Sequence, residues 1–137
     1  MSGVFVDTSA WLALADKRDK YHAMATAVYP HLLQQNPRLV TTNLVVAETF
    51  TLIRHRLGYK PGIHFLRSLR QSQRLVRVYA DESLEVEAEQ ILGQYVDQDF
   101  SLTDAVSFVV MRGHELDQAF AFDHHFQVMG FSLTPTT

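Results

Sequence analysis

Four carboxylates stand in apolar sequence, where an ionised group is least expected. Asp7 follows Val4-Phe5-Val6. Glu48 separates the apolar residues 44–47 from residues 49–53. Asp104 opens the run 105–111, and Asp123 closes the run 119–122. An isolated charge beside a core costs roughly several kcal/mol unless it is paired or bound to a cation. If the four converge, mutual repulsion raises that cost, and a hard divalent cation with oxygen ligands relieves it. The chain therefore reads first as a candidate Mg²⁺ site, with Mn²⁺ as a substitute.

Each acid also has a plain structural alternative. Asp7 precedes Thr8-Ser9 and can be an N-cap. Asp104 lies three residues after Ser101, the spacing of a capping box. Asp123 can be a loop residue leaving a strand. Glu48 is harder to place, because helical spacing puts Leu44, Val45 and Leu52 on its own face. Its alternative is a buried salt bridge to Arg54 or Arg56, and a role in a shared acidic site accounts for it better. One cation answers all four placements together.

Other chemistries lack their residues. There is no G-x-S-x-G, Walker-type loop or G-x-G-x-x-G, and no H-E-x-x-H zinc pattern. The neighbours His124 and His125 should point apart and not chelate one ion; an assisting role near a phosphate is the most they offer. With no cysteine, thiolate zinc sites, disulfides and cysteine nucleophiles are excluded.

Short β-branched or aromatic runs alternate with longer amphipathic ones, and these must position the acids. Strands are expected at residues 3–6, 39–41, 75–79, 119–122 and 131–133. Helices are expected through residue 14, over 21–35, from Asn43 as cap to about 56, from near Pro61 to about 72, over 82–95 and from 101 to about 114. The alternation predicts one α/β domain over residues 1–137, a three-layer sandwich on a mostly parallel sheet of about five strands. Such a sheet leaves a ligand crevice at the carboxyl ends of its strands. Asp7 and Asp123 follow predicted strands and Asp104 begins a predicted helix, so the topology can bring them together.

At 47% hydrophobic and 20% charged residues, the chain has enough apolar side chains for a core. The stretch Trp11-Leu12-Ala13-Leu14-Ala15 resembles a signal-peptide core, but no basic residue precedes it and Asp7 interrupts it. No apolar run is long enough to span a membrane. A soluble, cytoplasmic protein is expected. The net charge of −3 hides an asymmetry. Residues 49–80 carry Arg54, Arg56, Lys60, Arg67, Arg70, Arg74 and Arg77 and no acid. Residues 81–99 carry seven acids and no cation.

These segments resemble a PIN-domain ribonuclease, closest to VapC-type toxins of toxin–antitoxin pairs. The resemblance rests on Val4-Phe5-Val6-Asp7-Thr8-Ser9-Ala10, on Thr42-Asn43 to Glu48, on Phe100-Ser101-Leu102-Thr103-Asp104-Ala105, and on Ala121-Phe122-Asp123-His124-His125-Phe126. Gly130-Phe131 also fits, and the match spans essentially the whole chain. The resemblance implies a catalytic cluster of Asp7, Glu48, Asp104 and Asp123 that holds Mg²⁺ or Mn²⁺ and cuts an RNA phosphodiester to a 5′-phosphate and a 3′-hydroxyl. Asp7 and Asp104 are the candidate direct ligands. Glu48 ligates or positions water, and Asp123 acts through water or from behind the ligands. Thr8, Ser9 and Thr103 are accessory candidates, and Asp97 or Asp99 competes with Asp123 for the fourth place. The resemblance further implies a cognate antitoxin protein and a homodimer.

RNA approaching an acidic site needs flanking cations. Arg67, Arg70 and Arg74, at spacings of three and four, are expected to share a helix face as a phosphate track, or else to pair with the acidic segment 82–89 of the same chain or of a twin subunit. Arg112 is a further candidate. Two other functions compete: an RNA-processing PIN nuclease without an antitoxin, and a non-catalytic Mg²⁺-binding receiver-like module. The receiver needs an acidic pair after the first strand and a late lysine, yet Asp7 is followed by Thr8-Ser9 and no lysine follows Lys60.

Overall fold

The computed structural model describes residues 3–136. Five strands form one sheet: β1 (Val4–Val6), β2 (Leu39–Thr42), β3 (Leu75–Val78), β4 (Gln118–Phe120) and β5 (Ser132–Thr134). Their order is β3-β2-β1-β4-β5 and every pairing is parallel. Seven helices are found among the described residues: α1 (Thr8–Ala15), α2 (His22–Gln35), α3 (Asn43–Leu57), α4 (Tyr59–Gln71), α5 (Glu82–Gln94), α6 (Leu102–Gly113) and α7 (His125–Val128).

The sequence dictates this arrangement through burial. β1 and β2 are buried at every position, as strands covered on both faces must be. Helices α1 to α4 pack among themselves as one group, and α5 packs on α6 as another. The two groups flank the sheet, giving the expected three layers. Phe5, Phe108, Phe120 and Phe126 are fully buried, and Phe126 joins Phe5 to Phe108 through ring centroids 6.0 and 5.3 Å apart. The signal-like stretch folds as α1, with Trp11, Leu12 and Ala13 in the core. No helix among the described residues is long and apolar enough to cross a membrane.

The strand order matters for the site. The chain steps outward from β1 to β2 to β3, then returns to lay β4 on the other side of β1. The crevice of an open parallel sheet lies outside the carboxyl ends of the strands where such a reversal occurs, here β1 and β4.

Local details differ from the sequence expectations at four places. Thr42, not Asn43, caps α3: its Oγ1 accepts from the Val45 N–H at 3.1 Å. Asn43 instead accepts from the Ala80 N–H at 2.8 Å and ties α3 to the end of β3. The short α7 was not expected, because four residues give too little periodicity to detect. The arginine track does not form as drawn. α4 ends at Gln71, so Arg74 leaves the helix and donates to the Leu33 carbonyl, while Arg70 donates to the Tyr79 hydroxyl at 3.1 Å. Nor does the basic block pair with the acidic helix of its own chain: among the described residues, no ion pair joins it to α5.

Candidate active site

Asp7 leaves β1 at the switch point and begins α1. Its backbone N–H donates to the Phe120 carbonyl of β4 at 3.1 Å, so the two strand ends meet there. Its carboxylate caps α1 by accepting from Ser9, at 3.1 Å from the hydroxyl and 3.5 Å from the backbone N–H. The Ser9 Oγ in turn accepts from the Phe122 N–H at 2.9 Å. One hydroxyl thus ties the acid after β1 to the chain leaving β4. Replacing it, Ser9→Ala, leaves the Phe122 N–H without its partner and is expected to cost about 1–3 kcal/mol. Urea unfolding against wild type measures this, and a loss under about 0.5 kcal/mol would show that the link is idle.

Asp104 caps α6. Ser101 Oγ accepts from the Asp104 N–H at 3.0 Å, and Asp104 Oδ2 accepts from the Ser101 N–H at 3.0 Å. The capping box is therefore real, and the same box aims Asp104 into the cleft, so the plain and the functional reading both hold. Asp123 makes an Asx turn beyond β4: its Oδ1 accepts from the His125 N–H at 2.9 Å. Asp7, Glu48, Asp104 and Asp123 all line one cleft of about 240 Å³, together with Thr8, Ser9 and Ser101.

Glu48 reaches the cleft differently from the expectation. It is exposed, not embedded among apolar side chains. The buried face of α3 is centred on Val45, Val46, Thr49 and Ile53, which rotates Glu48 to the rim. The alternative ion pairs are absent as well. Arg56 lies 3.6 Å from Asp16 and 3.5 Å from Asp19, and Arg54 stacks over the Tyr59 ring.

Electrostatics mark Asp7 out. It is 4% exposed, and burial pushes its pKa up to about 7, reinforced by the charge of Asp104 and, less, that of Asp123. Hydrogen bonds from Thr8 and Ser9 pull the other way without winning. Two acids that raise the pKa of a third are what a bound cation would relieve. A further sign of fit is Thr8, which lines the cleft and whose buried Oγ1 has no protein partner among the described residues. Carboxylate oxygens plus a hydroxyl are a donor set for Mg²⁺ or Mn²⁺, not for a thiophilic metal.

The residue that sequence reasoning undervalued is His125. Its Nδ1 lies 3.0 Å from Asp104 Oδ2 and 3.2 Å from Asp123 Oδ1. Asp104, Asp123 and His125 place one potential ligand atom each within 4.8 Å of one another. His124 does point away, reaching only Gln127 at 3.3 Å. The available signal was the Asp-x-x turn: an acid that accepts from the N–H two residues on folds that residue back over itself.

The remaining candidates lie elsewhere. Asp97 and Asp99 are exposed and do not line the cleft, which favours Asp123 for the fourth place. Thr103 spends its carbonyl on the Ser107 hydroxyl and does not line the cleft either. Arg112 stands near the far end of α6, in a groove against α5, about 12 Å of helix rise from Asp104. Arg67 is exposed beside Tyr59 and Lys60 along α4.

This architecture has known counterparts. The chain is 35% identical over 129 residues to the 23S rRNA-specific endonuclease VapC20 of Mycobacterium tuberculosis, in strains CDC 1551 / Oshkosh and ATCC 25618 / H37Rv, covering 93% of this chain and 95% of the relative. The crystal structure of VapC20, described as a sarcin–ricin-loop-cleaving toxin, superposes with a TM-score of 0.85 at 32% identity, again over 93% of this chain and 95% of that one. FitAcB from Neisseria gonorrhoeae shares the fold, with a TM-score of 0.68 at 16% identity over 95% of each chain. The pattern described as the PIN domain matches residues 4–132. With its acids gathered where the sheet reverses, this chain belongs to the PIN domain family.

Proposed function

We propose that the protein is a Mg²⁺- or Mn²⁺-dependent endoribonuclease acting as the toxin of a toxin–antitoxin pair, and that its substrate is a structured loop of large-subunit ribosomal RNA. The observation that supports it most is the meeting of Asp7, Glu48, Asp104 and Asp123 at one cleft between β1 and β4. The VapC20 relative supplies the substrate class.

In the reaction, a water oxygen bonds to phosphorus, the bond from phosphorus to the ribose O3′ breaks, and O3′ takes up a proton. The products are a 5′-phosphate and a 3′-hydroxyl. Asp7, Asp104 and Asp123 are the side chains that would hold the cation. Bound there, it supplies Lewis-acid stabilisation of the phosphoryl charge and a lower pKa for water. Glu48, solvated at the rim, is the carboxylate free to take the proton from the attacking water, since the other acids are committed inside. Asp7, buried at the junction of β1 and α1, fixes the floor of the cleft, and Ser9 holds it in place. Asp123 orients His125 and Asp104 along the opposite wall. Exposed Arg67 and Lys60 are distant candidates for backbone phosphates; the cleft itself carries no arginine or lysine among the described residues.

The toxin assignment carries with it a protein inhibitor that covers the cleft, a homodimeric state and a cytoplasmic location, where ribosomes are. Growth arrest on induction, relieved by a neighbouring small open reading frame, tests the pairing.

The direct test is digestion of ribosomes and of total RNA by the purified protein with Mn²⁺, with end mapping. A discrete cut in one ribosomal RNA loop is expected, together with full loss of cleavage in EDTA and its return on adding Mn²⁺. Cleavage that continues in EDTA would overturn the metal-dependent nuclease.

A further inference from the structure

His125 lies outside the set of acids that define the cleft, yet it touches two of them at once. Its ring Nδ1 stands 3.0 Å from Asp104 Oδ2 and 3.2 Å from Asp123 Oδ1, and its backbone N–H reaches the same Asp123 oxygen at 2.9 Å. Between two carboxylate oxygens, an imidazole nitrogen is favourable only when it carries a proton and donates. Phe100 packs against the ring edge-on, with centroids 5.2 Å apart and planes at 79°.

The pattern of occupied oxygens decides what the ring does. Asp104 Oδ2 already accepts from the Ser101 N–H, and His125 adds its donor to that same oxygen. Asp123 Oδ1 already accepts from the His125 N–H, and the ring Nδ1 stands 3.2 Å from that same oxygen as a close polar contact, its hydrogen bond going to Asp104. The hydrogen bonds of the described residues leave Asp104 Oδ1 and Asp123 Oδ2 without one. Protein donors thus gather on one oxygen of each acid, and the other oxygen of each stays available. An Nδ1 that carries a proton and donates it to Asp104 has no lone pair left to ligate a cation.

We propose that His125 is a positioning residue: its Nδ1–H brackets Asp104 and Asp123 and turns one free oxygen of each towards a shared divalent cation, without ligating that cation. The inference rests on the metal-dependent reading of the cleft and adds a residue to it. Partners that orient ligands from behind typically contribute a factor of about 10–100 in metal affinity.

The test uses Mn²⁺ alone, titrated into the full-length metal-free protein and followed by calorimetry and by electron paramagnetic resonance. His125→Ala is expected to weaken Mn²⁺ binding about 10–100-fold while the fold, followed by circular dichroism, is retained. His125→Asn, whose amide nitrogen sits close to the Nδ1 position, is expected to recover most of that affinity. His125→Gln, whose amide reaches the Nε2 position instead, is expected to recover less. Cleavage by His125→Ala should approach the wild-type rate at saturating Mn²⁺, because the lost function is affinity. Pulsed resonance on the wild type should show no directly coordinated imidazole nitrogen.

Unchanged Mn²⁺ affinity in His125→Ala overturns the proposal, and so does a coordinated imidazole nitrogen in the wild type. In both cases wild-type cleavage still depends on Mn²⁺, so the nuclease assignment survives. A wild type that neither binds Mn²⁺ nor cuts RNA removes the nuclease assignment, and this proposal with it. If His125→Ala does not fold, the Asn and Gln variants decide: equal affinities for the two overturn the bracketing by Nδ1.

Discussion

Asp104→Asn is expected to reduce RNA cleavage by about 10³-fold, corresponding to ~4 kcal/mol of lost transition-state stabilisation, while the fold is retained or strengthened. The reason lies in which oxygen the amide replaces. Asp104 Oδ2 accepts from the Ser101 N–H and faces the His125 ring, so the amide oxygen takes that position and keeps the capping box. The amide nitrogen then falls where the free oxygen stood, and an N–H₂ group cannot ligate Mg²⁺ or Mn²⁺. The change also removes the charge that, after burial, does most to raise the pKa of Asp7. Relief of that repulsion offsets any weakening of the cap. The measurements are single-turnover cleavage at saturating Mn²⁺ and thermal unfolding in EDTA. Activity within tenfold of wild type would remove Asp104 from the site, and a large fall in melting temperature would show that its role is structural.

The second large effect concerns pH in the metal-free protein. Asp7 has a folded pKa of about 7 against an ordinary value of 3.8. Between those values the folded protein binds more protons at this site than the unfolded chain does, so stability falls as pH rises. The full span corresponds to on the order of 4 kcal/mol. Between pH 5 and pH 8 about 3 kcal/mol of it is lost, or roughly 10 °C in melting temperature for a chain of this size. Other groups titrate in this range, so the informative quantity is the difference from Asp7→Asn, which has no charge to bury and should lack this part of the slope. Mn²⁺ should stabilise wild type more at pH 8 than at pH 5, because the cation competes with the proton for the same carboxylate. Equal slopes for wild type and Asp7→Asn in EDTA would contradict an elevated Asp7 pKa.

Much of the fold could be read from the chain because its signals are local. The Val4-Phe5-Val6 run, the start of a helix near residue 43, the Ser101–Asp104 spacing and the Gly58 stop each follow from a few adjacent residues. The stop at Gly58 is physical: its φ of 106° is open to glycine and strained for other residues. What escaped required spatial knowledge. Thr42 and Asn43 both carry capping side chains, and only the position of Ala80 decides which one caps. The rim position of Glu48 depends on the rotation of α3 against the sheet, a few tens of degrees that periodicity does not fix. Arg67, Arg70 and Arg74 form a ladder only if the helix continues past Gln71. The grouping of the acids was legible, because strand ends and helix starts in a parallel sheet converge whatever the loops do. The bracket made by His125 was not, since it needs a turn, a rotamer and the Phe100 ring together.

The strand order has a consequence for how the protein is made. β4, which completes the cleft, is contributed by residues 118–120, while β1 is contributed by residues 4–6. A nascent chain still emerging from the ribosome therefore exposes Asp7 and Glu48 long before Asp123 and His125 are synthesised. Latency during translation follows from the topology: the acids cannot gather until the chain has been made at least as far as Asp123.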